Sequence, residues 1–516
     1  MSAARRAGAE AAGRRQSTWK GGAAPPRRAA WRRLADALRG DPATGTDWVT
    51  RLVGVALLVA FGILVGSQLL TPDKRTISVI VALVLFGIAW RMDIVSGLGV
   101  LMLALPFPRG TVFGSTNVVL VLLISVIWLL RVSLRRAAPP RGSLIDGPLL
   151  ALLLAFVVSF YNVESKSVLL KAFENFGQLL ACVALLYMVV NNVRTPQQLQ
   201  RLHYYQAASI AIVGLLGVVE LVNPTAVMIP GWIEFFHNPT STAISTHNLR
   251  VGGPFTDFEL FSEYAALNLL LLFILFVRAR TAAAKVTFGA LLGLMWLMMF
   301  ATVTRGGIVA LGLGLLYLGW LLRARLNVVR TVILAGGVIA SFVIMNFSVS
   351  RLTKAGDLTA RFLDPQSLAF KNGMPVARAP IWQQAWQRMM EHPIIGHGPV
   401  YTLERGLSYW YWPHNGYLFI GNLVGFVGLG FFLWMMARLW IISRPIVRDL
   451  DDPNYARAFL VIGHVQIFVF LVDQMKIDFM RNPIYPFQIW LMFASIAVAR
   501  RLADAPAQAA APARTR

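Results

Sequence analysis

Three arginines and one histidine carry the residue types from which chemistry is built. They stand in "HNLRVGGPF" (Arg250), "TVTRGG" (Arg305), "ARAPIWQQAW" (Arg378) and "WPHNGYLFIGNLVGFVGLG" (His414). An imidazole can take a proton from an attacking hydroxyl near neutral pH. Guanidinium forks match the oxygens of phosphates and carboxylates. Base and cations together fit a reaction in which a hydroxyl attacks and an anion departs. Pro413 and Asn415 beside His414 supply helix-start chemistry, so the competing reading of His414 is an interfacial helix cap. For Arg305 the competing reading is an arginine at the membrane interface, or one paired with Glu259 or Glu263.

The elements that must hold these residues are membrane helices. The 516 residues are 57% hydrophobic and 14% charged, against about a quarter charged in soluble domains. Fourteen apolar segments lie at about 52–70, 76–90, 94–107, 117–131, 148–162, 172–190, 205–222, 259–277, 286–303, 307–322, 331–348, 415–442, 456–474 and 484–499. The second to fifth are short, and twelve spans is the other tenable count. The fold class is thus an all-α polytopic membrane protein of about 12–14 transmembrane helices. Residues 1–48 form an Arg-, Ala- and Pro-rich tail expected to be disordered and cytoplasmic. Residues 49–500 form the transmembrane domain and 501–516 a second cytoplasmic tail. The one cysteine, Cys182, lies in an apolar segment, so no disulfide framework is expected.

With the N-terminus inside, the loops "RVSLRRAAPPRGS", "NNVRTPQQLQR", "RARTAAAK", "RARLNVVR" and "SRPIVRD" all fall on the cytoplasmic face, short and basic. Most of the +24 net charge then reports orientation. Two long loops, 223–258 and 349–414, remain outside. The second keeps seven basic residues against four acidic ones, which points to an anionic partner on that face. Within it, Arg378, Trp382 and Trp386 are spaced to share a helix face. "YWYW" at 409–412 reads as an interfacial aromatic belt. Arg250, Arg305, Arg378 and His414 all face outward in this topology.

His414-Asn415, nine residues, Gly425, two residues, Gly428 resembles the signature of the O-antigen ligases, a family that includes Wzy-type O-antigen polymerases. "RVGGPFTD", "TRGG" and "ARAPIWQQAW…HPIIGHGP" stand in the same order as in that family, over about 240–440. The resemblance implies a GT-C-like glycosyltransferase that uses no metal or other cofactor. It would move a glycan from undecaprenyl diphosphate to an acceptor hydroxyl at the periplasmic face of a bacterial inner membrane. It also implies His414 as base, Arg250, Arg305 and Arg378 on the diphosphate, and Asn415, Gly425 and Gly428 in support. The lipid A-core is the acceptor expected of a ligase, and a glycan repeat unit that of a polymerase.

Other signals read more plainly. "DLDDP" at 449–453 falls in a cytoplasmic loop and reads as a solvated linker. His397 reads as a turn residue, His464 as a core hydrogen-bonding residue, and Gly421, Gly425 and Gly428 as a ladder for close helix packing. No nucleic-acid module accompanies the basic tail. A lipid-linked-glycan flippase would need charges along a central cavity and often an internal repeat, whereas the notable charges gather on one face. A non-catalytic scaffold would not need His414 together with the arginines.

Overall fold

The computed structural model describes Gly87 and residues 90–107, 110–111, 114–163, 165–222, 227–229, 233–234, 250–255, 257–325, 328–353, 370–371, 374–375, 378–400, 413–480, 482 and 484–504. The chain divides into two units, Met1–Leu83 and Val84–Arg516, and every described residue belongs to the second. The N-terminal tail, residues 505–516, the first apolar segment, nearly all of the second and the "YWYW" belt lie outside the described residues. Residues 501–504, expected in the C-terminal tail, end the last helix.

Each of the other twelve apolar segments is a helix. In chain order they are α1 (Ile94–Ala104), α2 (Thr116–Ser133), α3 (Asp146–Ser159), α4 (Lys166–Asn192), α5 (Pro196–Val222), α6 (Phe258–Val277), α7 (Ala282–Ala301), α8 (Arg305–Leu321), α9 (Val328–Thr353), α11 (Gly416–Ser443), α12 (Tyr455–Asp473) and α13 (Tyr485–Asp504), with the amphipathic α10 (Ala379–Glu391) before α11. Six are long and apolar enough to cross a membrane: α4, α5, α6, α7, α11 and α12. The protein is an all-α polytopic membrane protein. Helix is the only extended way to satisfy backbone groups inside hydrocarbon without closing a barrel. The β-structure among the described residues is three two-stranded antiparallel pairs in connecting segments.

Small polar residues set the helix ends. Asp257 caps α6 by accepting from the amides of Glu259 and Leu260, and Asn415 caps α11 by accepting from Leu418. The core lies along α6, α12 and α13, where Phe255, Phe261, Tyr264, Phe459, Phe470, Tyr485 and Phe493 are all but fully buried. The lipid-type face shows instead on α9, where Ile339, Val343, Ile344 and Phe347 are exposed.

Arg378 is the N-cap residue of α10, in the αR region, and its carbonyl accepts from the Trp382 amide, so the Arg378–Trp382–Trp386 spacing runs from the cap into the helix. One expectation changes in detail. Gly425 does more than permit close packing. It interrupts α11 at φ 67° and ψ −173°, a backbone region that is essentially glycine's alone. At that break the amides of His397 and Gly398 donate to the carbonyls of Asn422 and Leu423, and the Phe426 amide donates to the carbonyl of Pro393. The turn after α10 thus supplies partners that the broken helix lacks. A Cβ on Gly425 would meet the backbone of Ile394 at 2.3 Å, and one on Gly396 would meet the backbone of Leu423 at 2.4 Å. Gly428 matches the packing expectation, since a Cβ there would meet Ala155 of α3 at 3.2 Å as well as the side chain of Val424 one turn earlier on α11.

Candidate functional site

The N-terminal ends of α6, α8 and α11 meet at one mouth of the bundle. Glu259, on the first turn of α6, is the hinge of the arrangement. Its Oε2 lies 2.8 Å from His414 Nδ1, and its Oε1 accepts from an Arg378 Nη at 2.9 Å. Arg378 also donates to the carbonyls of His414 and Lys476. One guanidinium thus holds the carboxylate, the backbone of the histidine and the end of α12 together. The carboxylate side chain of Glu259 is only 16% exposed, so little water competes for these bonds.

His414 itself sits in the left-handed region at φ 47°, which non-glycine residues seldom adopt. The next residue, Asn415, starts α11, so the strained turn aims the ring while the helix fixes its base. With Nδ1 donating to a carboxylate, the ring is held in the tautomer whose Nε2 carries the lone pair. The arrangement pairs a carboxylate that can orient with an imidazole that could accept a proton.

Arg250 works on the neighbouring turn. Its guanidinium donates to the carbonyls of Thr302 and Val303 at 2.9 and 3.2 Å and to Thr304 Oγ1 at 3.0 Å. It also lies 3.3 Å above the ring of Phe258, a cation–π contact. Val303 in that turn has φ 50°, so the latch holds a β-branched residue where it would not rest alone. The turn ends at Arg305, the first residue of α8. A helix N-terminus carries partial positive charge, and the arginine adds its own. Gly306 and Gly307 follow because side chains there would strike Lys476 and Ser262.

Of the expected site residues, the structure gathers Arg378, His414 and Asn415 around Glu259, and sets Arg250 and Arg305 on the adjoining turn. Arg250 and Arg378 are braces here, donating to protein oxygens. Gly425 and Gly428 lie deeper along α11. Three residues escaped the sequence reading as site members. Glu259 was legible only as a possible ion-pair partner. Glu220, at the end of α5, accepts from the amides of Gly252 and Gly253 at 3.2 and 2.6 Å, which fixes the "RVGG" loop. An isolated carboxylate in an apolar segment was its signal. Lys476 pairs with buried Asp473 at 2.8 Å and lays its stem along Gly306; nothing around it in sequence marked it.

His464 and His397 sit as core and turn residues. His464 bonds Tyr317 and Ser443 at 2.9 and 2.7 Å. His397 lies 2.8 Å from the Arg388 carbonyl, and burial holds its imidazole below the ordinary range. Asp449 of "DLDDP" pairs with Arg325 at 3.0 Å. Among the described residues no group of three or more His, Cys, Asp or Glu is placed to hold a metal ion.

Residues 290–433 match a family model described as O-antigen ligase. The match takes in Arg305, Arg378, His414, Gly425 and Gly428, and leaves Arg250 and Glu259 outside. No curated protein matches the chain.

Proposed function

We propose, for a chain whose residues 290–433 match the O-antigen ligase family model, a metal-independent transfer of a glycan from undecaprenyl diphosphate to a hydroxyl of lipid A-core. The reaction takes place at the periplasmic face of a bacterial inner membrane. The family's enzymes are ligase- or polymerase-type glycosyltransferases. The observation that carries the finer reading is the Glu259–His414 contact at 2.8 Å, backed by Arg378.

His414 Nε2 takes the proton of the acceptor hydroxyl as its oxygen forms the new bond to the anomeric carbon. The bond from that carbon to the diphosphate oxygen breaks, and the leaving group takes the electron pair. Arg305, at the positive end of α8, meets the charge that develops there. Arg250 and Arg378 act through the turn and the imidazole they hold, and Asn415 fixes the start of the helix that carries the base.

The test uses purified protein, lipid-linked donor and two acceptors offered separately, lipid A-core and a second lipid-linked repeat unit. His414→Ala and His414→Gln should each lose about 10²-fold or more in rate, the usual worth of a general base. Wild-type transfer should go to lipid A-core and persist in a chelator. Near-normal turnover by the Gln variant removes the base. Transfer only to the repeat unit makes the protein a polymerase, and loss in chelator with recovery on adding a divalent ion overturns metal independence.

A further inference from the structure

α4 runs from the site end, where Asn175 donates to the Pro399 carbonyl, to Asn191 and Asn192 at the opposite end of the bundle. There the ends of α2 and α4 and the starts of α1 and α5 line a cleft of about 510 Å³. A second cleft of about 260 Å³ shares Arg194 with it. Together they are lined by Arg131, Arg135, Arg136, Arg141, Arg194 and Arg501, against one carboxylate, Asp93. That carboxylate is already engaged, with Ser96 and, at 3.9 Å, with Arg201.

The cleft is built rather than incidental. Arg501 donates to the carbonyls of Val190 and Val193 at 2.5 and 2.6 Å, and Arg131 donates to that of Met92 at 2.7 Å. α2 closes with Arg135 in the left-handed region at φ 56°, and the amides of Arg136 and Ala137 both return to the Arg131 carbonyl at 2.7 and 3.1 Å. This fixed turn presents Arg135 and Arg136, which make no side-chain hydrogen bond to any described residue. Beside it Leu129, Leu130 and Leu134 are exposed. Cations crowded in this way repel one another unless an anion joins them, and the apolar neighbours say what kind of anion.

We propose that this furrow is a binding site for the phosphate headgroup of an anionic membrane phospholipid, whose acyl chains run along the exposed leucines of α2. A free phosphate shares the headgroup chemistry but has no use for the leucines. Diffuse attraction to a charged surface would need no fixed turn.

Full-length protein in a neutral detergent is titrated with phosphatidylglycerol, phosphatidylcholine of the same chains, or inorganic phosphate. Lipid retention by native mass spectrometry and the melting temperature are read. Phosphatidylglycerol should be retained and should raise Tm, with little effect of the other two. The double variant Arg135→Ala/Arg136→Ala should weaken its retention by about tenfold or more, whereas Arg135→Lys/Arg136→Lys should keep most of it. Equal retention by the alanine variant, or equal retention of phosphatidylcholine, overturns the site. A Tm rise from phosphate alone equal to that from lipid overturns the lipid assignment.

Discussion

Replacing Glu259 by Gln tests the orienting role directly, since shape is kept and charge is lost. The carboxylate makes two charge-assisted contacts, at 2.8 Å to His414 and 2.9 Å to Arg378. Bonds of this kind are worth about 1.5–3 kcal/mol each, and the site's low exposure leaves them little screened. An amide can present its NH₂ to Nδ1 and so favour the other tautomer, with the proton on Nε2 where the acceptor's proton should go. The rate cost should therefore approach that of losing the base, about 10²–10⁴-fold or roughly 3–5 kcal/mol of barrier. Glu259→Asp should also fall short, because a chain shorter by one methylene cannot span both contacts. The assay is initial-rate transfer by purified enzyme, with kcat and donor KM separated. A purely structural carboxylate would lower Tm and leave kcat nearly intact. Wild-type kcat in a folded Glu259→Gln enzyme refutes the orienting role.

The two turn arginines should separate by readout. Arg305→Ala should lose turnover and Arg305→Lys recover only part of it, whereas Arg250→Ala, which breaks three hydrogen bonds of the turn, should show its main effect as a lowered Tm. Gly425→Ala should prevent stable accumulation in the membrane, since it adds about 1–3 kcal/mol of backbone strain to a clash with Ile394 backbone. Gly428→Ala, facing side chains, should be milder in the same fractionation and thermal-melt assays. His397, held neutral by burial, should make the fold acid-sensitive. As pH falls below about 6.5 the unfolded chain takes up the proton first, so stability drops until the folded imidazole also titrates. His397→Gln should flatten that slope in thermal melts between pH 7 and 5.

Apolar length was enough to locate twelve helices, because hydrocarbon leaves the backbone no other open choice. Charge type and placement singled out the arginines and His414 as candidates, because a charge beside apolar segments needs a partner. What composition could not convey was who touches whom. Arg378 looked like a ligand for an external anion, yet its donors go to Glu259, His414 and Lys476. Gly425 looked like one rung of a packing ladder, and only the Pro393–Gly398 turn explains why it must break the helix. Glu259 was marked only as a possible ion-pair partner and Lys476 not at all, because a single charge at a helix end is ordinary in sequence. Their importance comes from partners 155 and 98 positions away.

Those separations bear on how the protein is made. Helices leave the ribosome in order, so α6 and its Glu259 enter the membrane long before His414 is synthesised. Arg378 cannot complete its bonds until the segment after α12 supplies the Lys476 carbonyl, and the Gly416 amide waits for the carbonyl of Gln474. The imidazole is therefore clamped only near the end of translation. A prematurely ended chain would hold Arg378 and His414 without all the bonds that join them. Under the proposed function, assembly order itself keeps unfinished copies inactive.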